Sequence, residues 1–215
     1  MSEQNMPPSR KSLRKTRAME SDRRDILLTA SKLFAANGID QTSMSEIADL
    51  SGFSVGKIYK FFPSKKSLFL HIVGNFLEHL HDSSLQANSL DLPPLQRLKN
   101  VLQAAIDVAN SDPDRLLIHL HESPTLFVEL KVHYQDIYIK TNRDLLAEAM
   151  ESGHLKPHDP NLLAIMLVGA VDALFSHLAS SEEENPFSPI PHLVFDRMIS
   201  PLIVEPTPVD EETKQ

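Results

Sequence analysis

Cysteine is absent from the 215 residues, which excludes a disulfide framework and a thiolate metal site. Glycine is scarce: six residues at 38, 52, 56, 74, 153 and 169, none clustered. That spacing excludes a phosphate-cradling glycine loop, and neither a nucleophile elbow nor a zincin helix is found. No apolar run reaches the ~20 residues that a bilayer span needs. The opening MSEQNMPPSR is polar and lacks the apolar core of a signal peptide. Strand-type alternation and internal repeats are missing as well. The expectation is a soluble, cytoplasmic, all-α protein that is not an enzyme.

What is present is charge, unevenly placed. There are 21 Lys+Arg against 29 Asp+Glu, a net of −8, which on its face argues against nucleic acid. Residues 1–75 hold 12 basic and 7 acidic side chains, a net of +5. The remainder holds 21 − 12 = 9 basic and 29 − 7 = 22 acidic, a net of −13. Such asymmetry points to an anion-binding segment joined to a part with another task. Residues 1–19 carry Arg10, Lys11, Arg14, Lys15 and Arg17 against Glu3 alone. They read as a disordered basic arm, either touching phosphates or serving as a solubilising tail.

Helical signals are dense from residue 21. Ser21 is a candidate cap for a helix with the apolar stripe Ile26, Leu27, Ala30, Leu33 and Phe34, ended by Asn37-Gly38. Ser43-Met44-Ser45-Glu46 is a capping box. Ser51-Gly52 stops that short helix, and Ser54 caps another over 55–61 before Pro63. Two short helices around a glycine-containing turn form a helix-turn-helix pattern. Ser64 caps a fourth helix striped by Leu68, Phe69, Ile72, Val73, Phe76, Leu77 and Leu80. Polar residues 82–93 read as a connection. Four further helical stretches follow: one from Leu95, one from Pro113, a long one over about 126–152, and one from Asp159-Pro160. A proline-marked loop then leads to a last segment, around 193–203.

Residues 26–73 carry a spaced set in one register: Ile26-Leu27, Ala30, Leu33-Phe34, Gly38-Ile39, Thr42-Ser43-Met44, Glu46-Ile47-Ala48, Ser51-Gly52-Phe53-Ser54, Gly56, Ile58-Tyr59, Phe62, Lys65 and Leu68. This resembles the N-terminal domain of the tetracycline-repressor (TetR) family of transcriptional regulators. One departure is Phe61, where relatives often carry a polar residue or His. The resemblance implies an N-terminal three-helix, helix-turn-helix DNA-binding domain over 20–75. It also implies a larger helical ligand-binding and dimerisation domain over 76–205. An acidic tail, 206–215, is expected to be disordered.

On this reading the helix at 55–61 enters the major groove of a pseudo-palindromic operator, one helix from each half of a homodimer. Lys57 can donate to guanine and Val55 can touch a thymine methyl, while Gly56 permits close backbone approach. Tyr59 and Lys60 can reach phosphates or base edges; the resemblance and poor dipole placement assign Lys65 a phosphate. Thr42 offers a hydroxyl, and Ser43 and Ser54 complete the candidate set at the helix starts. Each has an ordinary alternative: Lys57 and Lys60 as a solvated face, Tyr59 in the core, Thr42 as a competing cap.

The resemblance assigns the acidic remainder to an unknown small-molecule effector and to dimerisation; no cofactor or metal is expected. Candidate cavity residues are Phe76, Leu102, Ile106, Leu120, Phe127, Tyr134, Tyr138, Met166 and Phe175. Residues 162–175 are apolar or small except Asp172, so the helix must be covered on both sides. The candidate dimer contacts are Leu162, Met166, Gly169, Ala170, Ala173, Phe195, Met198 and Leu202. Ten histidines include His154 and His158 at metal spacing, but Gly153 and Pro157 break any helix there. The expected function is a ligand-responsive, sequence-specific transcriptional regulator, a repressor released by its effector. An enzyme and a protein-binding adaptor are the competing readings.

Overall fold

A computed structural model describes residues 10–121, 124–179, 181, 183 and 185–205; for 121 and 124–136 it describes the backbone course without side chains. Among the described residues the chain is helical, with an isolated antiparallel bridge between Leu155 and Ile203 and no strand. Three helices form the N-terminal part: α1 (Arg10–Asn37), α2 (Met44–Ser51) and α3 (Val55–Phe61). Five more follow: α4 (Lys65–Asn88), α5 (Pro94–Ser111), α6 (Pro113–His121), α7 (Pro124–Glu151) and α8 (Pro160–Leu178). The last is α9 (Ile190–Val194), continued by a π turn, Phe195–Ile199, and a 3-10 turn, Ser200–Leu202.

The short helices form where the caps predict. Ser43 and Glu46 make the reciprocal capping box, and Gly52 closes α2 at φ 74°, a left-handed conformation that glycine adopts without strain. Ser54 Oγ accepts from the Lys57 amide, and Ser64 Oγ from the Ser67 amide. Asp159 Oδ1 accepts from the amides of Asn161 and Leu162 at the start of α8.

Two boundaries differ from expectation. Helix α1 begins at Arg10, so residues 10–19 are helical rather than disordered, and Ser21 lies inside the helix instead of capping it. Residues 10–20 contain neither Gly nor Pro and are mostly strong helix formers, so the helix propagates through a residue that would cap it elsewhere. Residues 1–9 and the acidic tail fall outside the described residues. Helix α4 runs on to Asn88 instead of yielding to a connection at 82. Ser84 continues the inward stripe, buried below Leu80, and its Oγ donates to the Tyr138 hydroxyl at 3.5 Å. A small polar side chain with a buried partner thus occupies a core position that its residue type disguises.

Helix α4 joins the two halves. It packs on α1 at one end and on α5 and α7 further along, while α1 also touches α6. Buried Ile72, Val73, Phe76 and Leu77 cross the expected boundary at 75/76 without a break, and Phe34 meets Phe69 edge-on at 6.1 Å. Helix α8 is long and apolar enough to cross a membrane by length and composition, with a mean hydropathy of 1.7. Here Leu163, Ala164, Leu167, Val171 and Phe175 are buried, with α7 and α9 among its neighbours. Its other side is uncovered in the single chain: Leu162 is 58% and Met166 60% exposed.

Candidate nucleic-acid interface and apolar cavity

Helix α3 has seven residues, of which Ile58 alone is buried. Ile58 locks it to the core, so the opposite side is left to solvent. Val55, Gly56, Tyr59 and Lys60 are all exposed there, Tyr59 at 49%. Tyr59 is therefore not a core residue. An exposed aromatic, a lysine and a bare glycine on a rigidly seated helix form a face able to enter a groove.

Lys57 lies at the margin of this face. Its Nζ is 2.8 Å from Asp22 Oδ2 on α1 and 4.0 Å from the centre of the Phe53 ring. In the free protein this cation is thus already engaged, and any DNA contact competes with Asp22. Nothing in the local sequence of α3 points to Asp22, which is distant in the chain.

Two candidate contacts hold partners inside the fold. The Thr42 hydroxyl is buried, at 1% exposure, and donates to the Gly38 carbonyl at 2.9 Å, so it holds the end of α1 instead of meeting a phosphate. Lys65 Nζ donates to the Thr42 carbonyl at 2.8 Å and to the Asp40 carbonyl at 3.2 Å. It clamps the loop between α1 and α2, which explains a cation at the unfavourable end of α4. Ser43 and Ser54 act as N-caps.

Above this face, Arg23 of α1 reaches α4. Its Nη2 lies 3.0 Å from His71 Nε2, and Asn75 Nδ2 lies 3.2 Å from the same nitrogen. The same Nη2 lies 3.5 Å from His71 Nδ1, so the guanidinium sits over the imidazole ring. Arg23 also lies 5.7 Å over Phe62. Burial first, then the Arg23 charge, hold the His71 pKa below its ordinary value, 6.5.

Between α4, α5, α6, α7 and α8 lies a mainly apolar cavity of about 80 Å³. One water needs roughly 10–15 Å³ of such space, so the cavity suits a small molecule. Leu102, Tyr138 and Phe175 line it as expected, together with Leu77, Val171 and others. Phe76 and Ile106 are buried in the surrounding core and Leu120 packs against that core, none of them lining the cavity. Met166 points to the exposed side of α8, about 100° round the helix from the inward Leu167. Phe127 and Tyr134 fall outside the described side chains. Four polar residues join the lining: His119, Tyr138, Asn142 and Asp172. Asn142 is 2% exposed; its Nδ2 donates to the Tyr138 carbonyl, and its Oδ1 has no hydrogen-bond partner among the described residues. A buried acceptor left open costs stability unless something fills it. Periodicity placed Asn142 within a helix but carried no sign of this role.

On the far side of α8, Leu162, Met166, Met198 and Leu202 line a shallow apolar groove, with Gly169 and Ala173 exposed nearby and Ala170 partly buried. Phe195 does not belong to that surface. It is 4% exposed, turned into the core with Lys99 over its ring. No group of His and carboxylates able to hold a metal occurs among the described residues.

The family model described as bacterial regulatory proteins, tetR family, matches residues 26–72, which span the buried part of α1 through the start of α4. The transcriptional regulator RutR of Escherichia coli O157:H7 is 27% identical over 158 residues, covering 72% of this chain and 74% of RutR. The structure of the ketosteroid transcriptional regulator KstR2 of Mycobacterium tuberculosis superposes with a TM-score of 0.73 at 20% identity, covering 85% of this chain and 95% of that one. AibR, solved with isovaleryl coenzyme A and operator DNA, superposes at 0.68 with 19% identity, covering 81% of this chain and 97% of AibR.

Proposed function

We propose that this chain, which belongs to the tetR family of bacterial regulatory proteins, is a cytoplasmic repressor that a small molecule releases from operator DNA. The observation that carries the reading is the free face of α3, where Val55, Gly56, Tyr59 and Lys60 are exposed on a helix anchored by Ile58. A seven-residue helix reads too few bases alone, so two copies are needed, with half-sites about one turn of DNA apart. The uncovered row on α8 and the groove with Met198 and Leu202 support a homodimer, which would bury the apolar side that would otherwise suit a membrane. AibR, a protein of similar fold, was solved with both operator DNA and an acyl-coenzyme A.

The cavity supports an effector that is small and mainly apolar and presents a hydrogen-bond donor to Asn142 Oδ1. Its binding would shift the population towards dimers whose α3 helices are wrongly spaced for the groove. Helix α4, with its ends in both parts, is the mechanical link. The reading is that of a regulator, and the chemistry of the cavity is recognition and not turnover.

The test is a titration of duplex DNA enriched by the wild-type protein, repeated with the Tyr59→Ala, Lys60→Ala double variant. Both side chains are exposed, so the variant should fold normally. Removal of base or phosphate contacts worth ~1–3 kcal/mol predicts a fall in affinity of tenfold or more. Unchanged affinity would remove α3 from the interface.

A further inference from the structure

We propose that the opening turns of α1, residues 10–19, are a second DNA-contacting element, which grips backbone phosphates beside the half-site that α3 reads. The inference rests on the DNA-binding reading above and adds a site to it. Residues 10–20 of α1 are all exposed, so no burial in this chain accounts for them. Arg10, Arg14 and Arg17 stand at i, i+4 and i+7 on one face. Lys11 and Lys15 form the adjoining row, in phase with Asp22 further along.

Two facts give this cationic rod its direction. Asp22 holds Lys57 of α3 at 2.8 Å, so the Lys11–Lys15 row leaves the body of the protein from the α3-facing side. Met19 and Asp22 share a shallow cleft with Gly56, Lys57 and Lys60. At 1.5 Å per residue, Lys11 lies about 16 Å beyond Asp22, near half the pitch of a DNA duplex. A duplex seated on α3 would therefore have phosphates within reach of the rod.

The charges are badly placed for anything else inside the chain. Cations occupy the helix start, where the macrodipole favours anions, and Arg10/Arg14 and Lys11/Lys15 are like-charged pairs four apart. None of the five makes an ion pair among the described residues. A polyanion along the rod relieves both penalties at once, and DNA is the polyanion that the neighbouring α3 face selects.

The experiment compares the full-length wild type with a full-length variant carrying Gln at positions 10, 11, 14, 15 and 17. Binding to the duplex enriched by wild type is measured across a salt series, with hydroxyl-radical footprints. Circular dichroism checks that the variant remains helical. For every phosphate that the variant no longer neutralises, the slope of log K against log salt should become shallower by about 0.9. We expect a change of about two or more per protomer, at least a tenfold loss of affinity at low salt, and loss of protection flanking the half-sites. An unchanged slope and footprint would overturn the proposal. So would an equal effect from neutralising Arg143, Lys156 and Arg197 on the acidic body, since that would make the effect one of diffuse charge. Tighter binding of wild type to anionic phospholipid vesicles than to the duplex would assign the rod to a membrane instead. Wild type that binds no duplex at all would overturn the DNA-binding reading itself, a distinct outcome.

Discussion

Lys57 shows how one side chain can belong to both the folded core's edge and a binding face. Its pairing with Asp22 is partly exposed, and such pairs contribute about 0.2–1 kcal/mol, so the contact matters little for stability. It matters for availability, because a DNA contact through Lys57 would have to draw the ammonium away from a carboxylate that would itself repel phosphate. Asp22→Asn keeps the shape and removes that charge. The expected outcome is a severalfold gain in affinity for DNA of any sequence, with an almost unchanged melting temperature. Equal affinity across a salt series would show that Asp22 and DNA do not compete. At this scale the sequence was readable where the chemistry is local. The caps Ser43, Ser54 and Ser64 stand where their spacing put them. Thr42 and Lys65 hold partners that residue type does not announce, the carbonyls of Gly38, Asp40 and Thr42, because these are backbone groups brought together by folding. Residue type announces a hydroxyl or a cation; it does not announce which acceptor has already claimed it.

At the scale of elements, α4 has the decisive position, since it touches α1 at one end and lines the cavity with Leu77 and Leu80 further along. The Arg23–His71 contact ties α1 to α4 at the DNA-proximal end. His71 is held neutral by burial, then by Arg23, with Arg115 in the same sense and Glu78 opposing. Its folded pKa lies below the unfolded value, so the unfolded chain takes up the proton first as pH falls. Stability from this joint is complete above about 6.5 and is lost progressively as pH drops towards the folded pKa. Urea melts of wild type and His71→Gln between pH 7.5 and 5 should converge at the acid end, with the variant less pH-dependent. Parallel curves would contradict the assignment. Helix α8 makes the complementary point about burial. Its composition requires cover on both sides, and the single chain covers one. Met166→Arg places a charge in the middle of the uncovered row without touching the cavity. Sedimentation should then show a monomer, and DNA affinity should fall by more than tenfold as the second half-site is lost. A dimer that persists would move the interface elsewhere. Phe195 could not be sorted from Met198 and Leu202 by hydropathy, because periodicity fails where the chain passes from α-helix through a π turn to a 3-10 turn.

At the scale of the molecule, the division of charge coincides with a division of labour around α4. The basic third carries α3 and the cationic start of α1, and the acidic remainder carries the cavity and the α8 surface. Pairing through α8 would present two α3 faces, and filling the cavity would alter their spacing through α4. The N-terminal architecture was legible because α2 and α3 each carry their own cap and stop. The cavity was less legible, since it is defined by which core positions leave space, a property of five helices together and of no one of them.

The most direct measurement is selection of binding sites from a random duplex pool by the purified full-length protein. The expected result is enrichment of a motif made of two inverted half-sites whose centres lie about one helical turn apart. A pool that returns at input frequencies after repeated rounds, with the protein folded and dimeric, would contradict the claim that this chain reads DNA.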